Sequence, residues 1–278
     1  MGADLVVVAN PGDDVELYGA HVAPDADLCS FWLADRIDAR GWGLEGDTFH
    51  VMDGLRELGG DVWFNLGDRD LAVGLDRAAR LARGERLTDA LLALGASLGL
   101  SARILPPCDE PVRTRVRARD RDRPLQEWLI LARGEGPVQD VAFPGAERAR
   151  LTAEVADAIA SARAIVIGPS NPVISIGPIL AVPGLREALA AASAPVVAVS
   201  PLVRGRAVKG PTEACLAWAG WPLSSGGIAA EYAGVIDGLV ADEPAPGLPT
   251  RVVDVLMDGP EGRRRVAAEA LALASELS

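Results

Sequence analysis

The chain has 278 residues, 49% of them hydrophobic and only 4% aromatic, enough for one large α/β domain whose core is built from Ala, Val, Leu and Ile. A formal charge of −12 disfavours nonspecific binding to nucleic acid or to an anionic membrane. With 3 scattered cysteines and 2 histidines, the chain has little means to build disulfides, structural zinc, iron–sulfur clusters or a His-rich transition-metal site.

The opening "MGADLVVVAN" does not combine a basic region, an apolar run and a small-residue cleavage site, so no signal peptide is expected and the protein is expected to be cytoplasmic. "DLVVVA" reads as a buried strand. It runs into "NPGDDVELYGAHVAPDAD" (10–27), which packs Asp13, Asp14, Glu16, Asp25 and Asp27 into one short loop. Carboxylates so placed suit a hard cation such as Mg²⁺. They equally suit a turn after Gly12 and a cap for the helix "LCSFWLADRID".

Helical periodicity follows over Asp47 to Leu58, Asp70 to Arg83 and Thr88 to Leu98, with the Thr88 hydroxyl as a helix cap. "WFNLGDRDLA" (63–72) groups Asp68, Arg69 and Asp70, which by themselves fit an N-cap with a local ion pair. Next come "ARIL", "VRTRVRA", "LQEWLILA" and "VQDVAF", read as antiparallel, hairpin-linked strands. In "VRTRVRARDRDRP" (112–124) Arg recurs at every second position from Arg113 to Arg123, so the guanidinium groups share one face. That face is either solvated or a phosphate-binding ribbon.

From residue 146 the pattern alternates again. Helical stretches at Leu151 to Arg163, Val182 to Ala192 and Arg263 to Leu277 separate the apolar runs "AIVIG", "PVVAVS", "GLVAD" and "RVVDVL". The least charged stretch, Ala188 to Val203, contains Pro195 and Pro201 and reads as a helix end before a buried strand, not as a membrane span. The expected class is α/β, a Rossmann-like and mostly parallel sheet with helices on both faces. Residues 1–45 and 146–278 form its core, and residues 46–145 are an inserted helical plus antiparallel β subdomain.

Ligands of such sheets bind past the carboxyl ends of the strands. Besides the acidic loop, two segments fit that position. "GPSNPVISIGPIL" (168–180) offers Ser170, Asn171, Ser175 and Gly177 among stiffening prolines, without a GxGxxG or GKS/T signature. "SPLVRGRAVKGP" (200–211) offers Arg204, Arg206 and Lys209, suited to phosphate or merely a solvated basic turn.

Taken together, "GDTFHVMDGLRELGGDVWFNLGDRDLA", "ILPPCDEPVRTRV", "LQEW", "GPSNPVISIGPILAVPGLREAL" and "VAVSPLVRGRAVKGP" resemble, in order and from about Val6 to about Glu243, the CofD family of 2-phospho-L-lactate transferases of coenzyme F-420 biosynthesis. The pair "LGDRDLA" and "PSNPxxSIGPIL" is the specific part. The resemblance implies a Mg²⁺-dependent transfer of a phospholactyl or phosphoenolpyruvyl group from a guanylyl diphospho donor to the ribityl hydroxyl of the deazaflavin Fo. GMP leaves, and a homodimer is the family expectation. The family's "NxxDD…G…PDLDT" loop matches Asn10, Asp13, Asp14, Gly19, Pro24, Asp25 and Asp27. This implies Asp14 and Asp27 first as catalytic and metal contacts, with Asp13 and Asp25 as further metal ligands. Substrate contacts are implied at Asn65, Asp68, Arg69, Asp70, Arg113, Thr114, Ser170, Asn171, Pro172, Ser175, Gly177, Lys209 and Gly210.

The sequence departs from the family pattern in several places. Relatives open with a strand and a "GGxGGA" loop that this sequence lacks, which is expected to leave one edge of the first strand exposed. The family's Thr after PDLD is Leu28, its Thr-His after "GDRDLA" is Val73-Gly74, and a Ser is Cys108. A degenerate paralogue that binds nucleotide or deazaflavin without turnover is the alternative. Asp14, Asp27, Asn171 and Lys209 favour the enzyme.

Overall fold

The computed structural model describes residues 4–278. Strand β1 (Val6–Val8) leads through the acidic loop into a hairpin of β2 (Val15–Leu17) and β3 (Ala20–Val22), followed by α1 (Pro24–Leu33). Helices α2 (His50–Glu57), α3 (Asp68–Ala82) and α4 (Leu87–Ser97) precede β4 (Arg103–Leu105). Then come β5 (Arg115–Ala118), β6 (Arg121–Pro124), α5 (Leu125–Ile130) and β7 (Val138–Ala142). The last part runs α6 (Ala153–Ser161), β8 (Ile165–Ile167), α7 (Gly177–Leu180), α8 (Leu185–Ala190), β9 (Val196–Val199), β10 (Leu202–Val203) and β11 (Arg206–Ala207). It ends with α9 (Thr212–Ala219), α10 (Ser225–Glu231), β12 (Gly238–Ala241), β13 (Thr250–Val252) and α11 (Gly259–Leu277).

The expected parallel sheet is present. Its order is β13-β12-β9-β8, all parallel, and β1 pairs in parallel with β4 as a separate ladder. Alternation along the strands explains the two covered faces. Val196, Ala198, Leu239 and Ala241 join Val155, Leu185, Leu189 and Ile228 in one cluster. Val197, Val199 and Val240 join Val266, Ala270, Leu273 and Ala274 of α11 in the other. At roughly 1.5–3 kcal/mol per fully buried aliphatic side chain, these two layers carry the core. Gly238 permits the close seating of α11, because a Cβ there would stand 2.9 Å from the Leu277 side chain.

The middle third differs from the expectation in two places. "ARIL" is not antiparallel: as β4 it pairs in parallel with β1, Val6 opposite Arg103 and Val8 opposite Leu105. "LQEWLILA" is not a strand but the helix α5, which begins after Pro124 and buries Leu125 and Trp128, three positions apart on one helical face. The antiparallel sheet is therefore β6-β5-β7. Arg115 and Arg117 pair with Asp122 and Asp140 across it, in a solvated charged face. Among the described residues β1 pairs with β4 alone and is half-buried along its length. No helix among them is long and apolar enough to cross a membrane.

Candidate active site

The loop after β1 is held in place by backbone and buried side chains. The Asn10 side chain accepts from the Gly12 amide at 2.7 Å and donates to the Ile174 carbonyl at 3.3 Å, tying the acidic loop to the segment after β8. The Thr114 amide donates to the Gly12 carbonyl at 2.7 Å, and Gln126 Nε2 donates to the Asp13 carbonyl at 3.3 Å. A Cβ on Gly12 would stand 2.4 Å from Thr114 Oγ1 and 2.7 Å from Pro178. Three distant stretches of sequence thus meet at one glycine. They are the acidic loop, the "PVRT" segment and the "SNPVISIGP" segment, all expected from sequence to form one site.

Beside this junction lies a buried carboxylate cluster. Asp13, Asp14 and Asp27 are each at most 7% exposed. Burial, and then the charges of Asp25 and Asp14, hold Asp13 well above the usual carboxylate range. Burial also raises Asp25, against the effect of Asn10, and raises Asp27 in spite of Arg77. Asp70, on the first turn of α3, is pushed up to about 7 by burial and by Asp27 and Asp47. Isolated charges of one sign are costly in such surroundings.

Two basic side chains, Arg77 and His21, face that charge. Arg77, 2% exposed, grips both oxygens of Asp27 and donates to the His21 carbonyl at 2.9 Å. Each Asp27 oxygen keeps lone-pair capacity beyond that grip. His21 Nε2 lies 3.1 Å from Asp14 Oδ2, and its Nδ1 lies 3.4 Å from Glu16 Oε1. Burial works against the charged ring, but the hydrogen bonds to Asp14 and Glu16 outweigh it and raise the His21 pKa. Glu16 is in turn lowered to about 2, first by His21 and then by Arg113.

Neither His21 nor Arg77 was picked out from sequence. The signal for Arg77 was its place in the row Leu71, Gly74 and Arg77, the buried stripe of α3, where a charge requires a buried partner. Gly74 belongs to the same close contact: a Cβ there would stand 3.0 Å from Ala20 Cβ and 3.2 Å from the His21 carbonyl. Val73-Gly74 thus trades polar side chains for tight packing of α3 on β3.

The other expected residues divide into several groups. Arg113 reaches Glu16 at 2.5 Å, and buried Thr114 leaves Oγ1 without a partner. Asp68 lies outside the cluster, accepting from Thr48 Oγ1 at 2.6 Å and from the His50 and Val51 amides, so it caps α2 and its pKa is lowered. Asn65 accepts from Arg56. Asp47 caps the start of α3 by accepting from the Arg69 and Asp70 amides. Gly67 makes room for it, since a Cβ there would lie 2.1 Å from Asp47 Oδ2.

Asn171 uses its side chain within the fold, accepting from the Val173 and Ile174 amides and donating to Thr212 Oγ1 at 3.3 Å. Pro172 is buried and opens the single π-helical turn Pro172–Ile176 that carries Ser175 and leads to Gly177. Ser170, Lys209 and Gly210 are exposed, and Lys209 Nζ rests 5.9 Å from the Trp42 ring centre. The expected Thr88 cap is replaced: Asp109 accepts from both the amide and the hydroxyl of Thr88.

The model of the family described as 2-phospho-L-lactate transferase CofD matches residues 1–268. The chain belongs to the CofD family. Family members named phosphoenolpyruvate transferase resemble it along nearly their whole length. That of Mycobacterium avium (strain 104) is 37% identical over 288 residues, covering 98% of this chain and 86% of the relative. That of Kitasatospora aureofaciens is 37% identical over 290 residues, covering 99% and 90%. In fold, the chain resembles the crystal structure of BH3568 from Bacillus halodurans, with a TM-score of 0.52 at 16% identity over 97% of this chain and 81% of that one. As a member of the CofD family the chain is a transferase of the phospholactyl type, and its acidic loop, "PVRT" and "SNPVISIGP" segments meet at Gly12.

The site residues fit a hard cation. Asp13 Oδ1 and Thr114 Oγ1 are buried oxygens with no partner, and oxygen donors are what Mg²⁺ takes. Among the described residues no three His, Cys, Asp or Glu side chains form a ready metal cage. Mg²⁺ suits such a site, because it keeps several waters and binds through one or two carboxylates plus substrate phosphate.

Proposed function

We propose that the chain is the Mg²⁺-dependent transferase of coenzyme F-420 biosynthesis that moves a phosphoenolpyruvyl or phospholactyl group from a guanylyl diphospho donor to the ribityl hydroxyl of Fo, releasing GMP. The observation that carries this reading is the buried, undercompensated carboxylate cluster at the junction of the three family segments. The relatives named phosphoenolpyruvate transferase, 37% identical to this chain, favour the phosphoenolpyruvyl donor. Cytoplasmic location and a homodimer complete the proposal.

In the transfer, the ribityl oxygen bonds to the phosphorus of the phospho-acid, the bond to the GMP oxygen breaks, and the hydroxyl proton must be taken up. Such reactions ask the protein for alignment and charge neutralisation more than for covalent chemistry. When bound, Mg²⁺ would supply positive charge against the diphosphate. One or two of Asp13, Asp14, Asp25 and Asp27 would hold it together with donor phosphate, while Arg77 orients Asp27. Asp70, whose proton affinity is raised by burial, is a carboxylate fit to accept the hydroxyl proton. Arg113, Arg69 and Lys209 supply positive charge for the donor. Ser170, Ser175, Gly177 and Gly210 line its path.

The test is to incubate the protein with Fo, Mg²⁺ and each guanylylated donor, and to look for GMP and the Fo conjugate by mass spectrometry. Absence of product with every donor refutes the proposal. The closed packing at Gly74, which leaves no room for a polar side chain, favours the second reading, binding without turnover. Fo or GMP bound under the same conditions without product would establish it.

A further inference from the structure

We infer that His21 positions Asp14 for cation binding, its ring bridging Asp14 to a Glu16–Arg113 pair. The inference rests on the metal-dependent reading of the acidic loop and names a residue that reading does not require.

The hairpin explains how the bridge forms. Glu16 of β2 stands directly opposite His21 of β3. Asp14 lies two residues before Glu16, so in an extended chain both carboxylates project to the same side as the ring. His21 Nε2 meets Asp14 Oδ2 at 3.1 Å, and its Nδ1 faces Glu16 Oε1 at 3.4 Å. Both ring nitrogens face carboxylate oxygens, so neither is free to bind a metal.

The ring is also fixed from behind. Its backbone carbonyl takes Arg77 Nη1 at 2.9 Å, and α3 is packed against that carbonyl at Gly74. On the far side, Arg113 Nη2 holds Glu16 at 2.5 Å and its Nη1 donates to the Val112 carbonyl at 3.0 Å. Asp14 Oδ2 is thereby oriented, while Oδ1 has no partner among the described residues. Without the ring, Asp14 would lose the partner that holds its Oδ2 and be free to rotate. Hydrogen-bonded partners of metal ligands characteristically hold about 10–100-fold in metal affinity.

The sign of the effect separates positioning from plain electrostatics. Removing a ring that can carry positive charge from an acidic cluster should leave cation binding unchanged or tighten it if charge alone mattered. Positioning requires it to weaken. Mn²⁺ binding, measured by calorimetry and by electron paramagnetic resonance on the full chain, is compared for wild type, His21→Phe, His21→Gln and Glu16→Gln, with a thermal melt of each. The expected result is an affinity about 10–100-fold weaker in His21→Phe. The loss should be smaller in His21→Gln, whose amide can still donate to Asp14, and smaller in Glu16→Gln, which releases only the outer side of the ring. Unchanged or tighter binding in folded His21→Phe overturns the inference. Should that variant not fold, His21→Gln and Glu16→Gln decide it on the same criterion. Wild type that binds no Mn²⁺ overturns the metal reading itself, an outcome distinct from His21 alone being irrelevant.

Discussion

Asp70→Asn should make the metal-free protein more stable at neutral pH, and the gain should disappear in acid. Asp70 sits on α3 beside Asp27 and Asp47, and its pKa is raised from 3.8 to about 7. A raised carboxylate pKa means that the folded chain holds a proton that the unfolded chain has released. Its contribution is therefore most favourable below the unfolded value and is lost progressively as pH rises from about 4 to about 7, with no further change above that. At about 1.36 kcal/mol per pH unit, the interval from 3.8 to about 7 amounts to about 4 kcal/mol. The helix N-terminus favours the charged form by about 0.3–1 kcal/mol, so about 4 kcal/mol is an upper figure. Urea unfolding of wild type and Asp70→Asn in EDTA, across that pH range, should show curves that coincide near about pH 4 and separate toward about pH 7. A stability difference independent of pH would refute the reasoning, because the amide would then act through packing and not through an unrelieved charge.

The neighbouring residues give further expectations. Arg77→Met leaves Asp27 buried and unpaired, which should destabilise the fold by about 3–5 kcal/mol, and Asp27→Asn in the same chain should recover part of the loss in urea unfolding. Gly12→Ala drives a methyl group against Thr114 and Pro178. Overpacking of this kind costs about 1–3 kcal/mol, and thermal melts should register it along with loss of transfer activity. Because Asp13, Asp25 and Asp27 all hold protons above the usual carboxylate range, Mn²⁺ affinity should rise with pH as those protons are released. An affinity independent of pH would count against a carboxylate site.

Runs such as "AIVIG" and "PVVAVS" were legible as parallel strands because burial on both faces leaves an unbroken β-branched signal. "ARIL" was legible as a strand but not in direction, since three residues contain nothing about a partner almost a hundred positions away in β1. "LQEWLILA" misled because its apolar residues fit both a short strand and a helical turn. Pro124 and the three-residue spacing of Leu125 and Trp128 decided for the helix. At the site, the gathering of Asp13, Asp14, Asp25 and Asp27 was visible as composition. The division of labour among them was not, because it depends on His21 arriving from β3 and Arg77 from α3. Asn171 and Asp68 show a local role that motif position did not reveal. Motif position marked them for ligand contact, while their side chains satisfy amides at local turns and helix starts.

The way charge is compensated in the cluster separates carboxylates oriented by a basic partner from those without one. Asp27 has Arg77 and Asp14 has His21, so those two are oriented by the fold itself. Asp13 has Oδ1 buried without a donor, and Asp70 has neighbouring carboxylates and only a distant share of Arg77. A fold selected only for stability would replace such groups by amides or apolar residues at a gain of the size worked out for Asp70. Their presence in and beside the acidic cluster is what the proposed function would explain. Under the proposed function a divalent cation would supply the missing compensation directly, and in its absence a bound proton would supply it. Both routes place the cost of the cluster in the metal-free state, where the unfolding experiment on Asp70 can measure it.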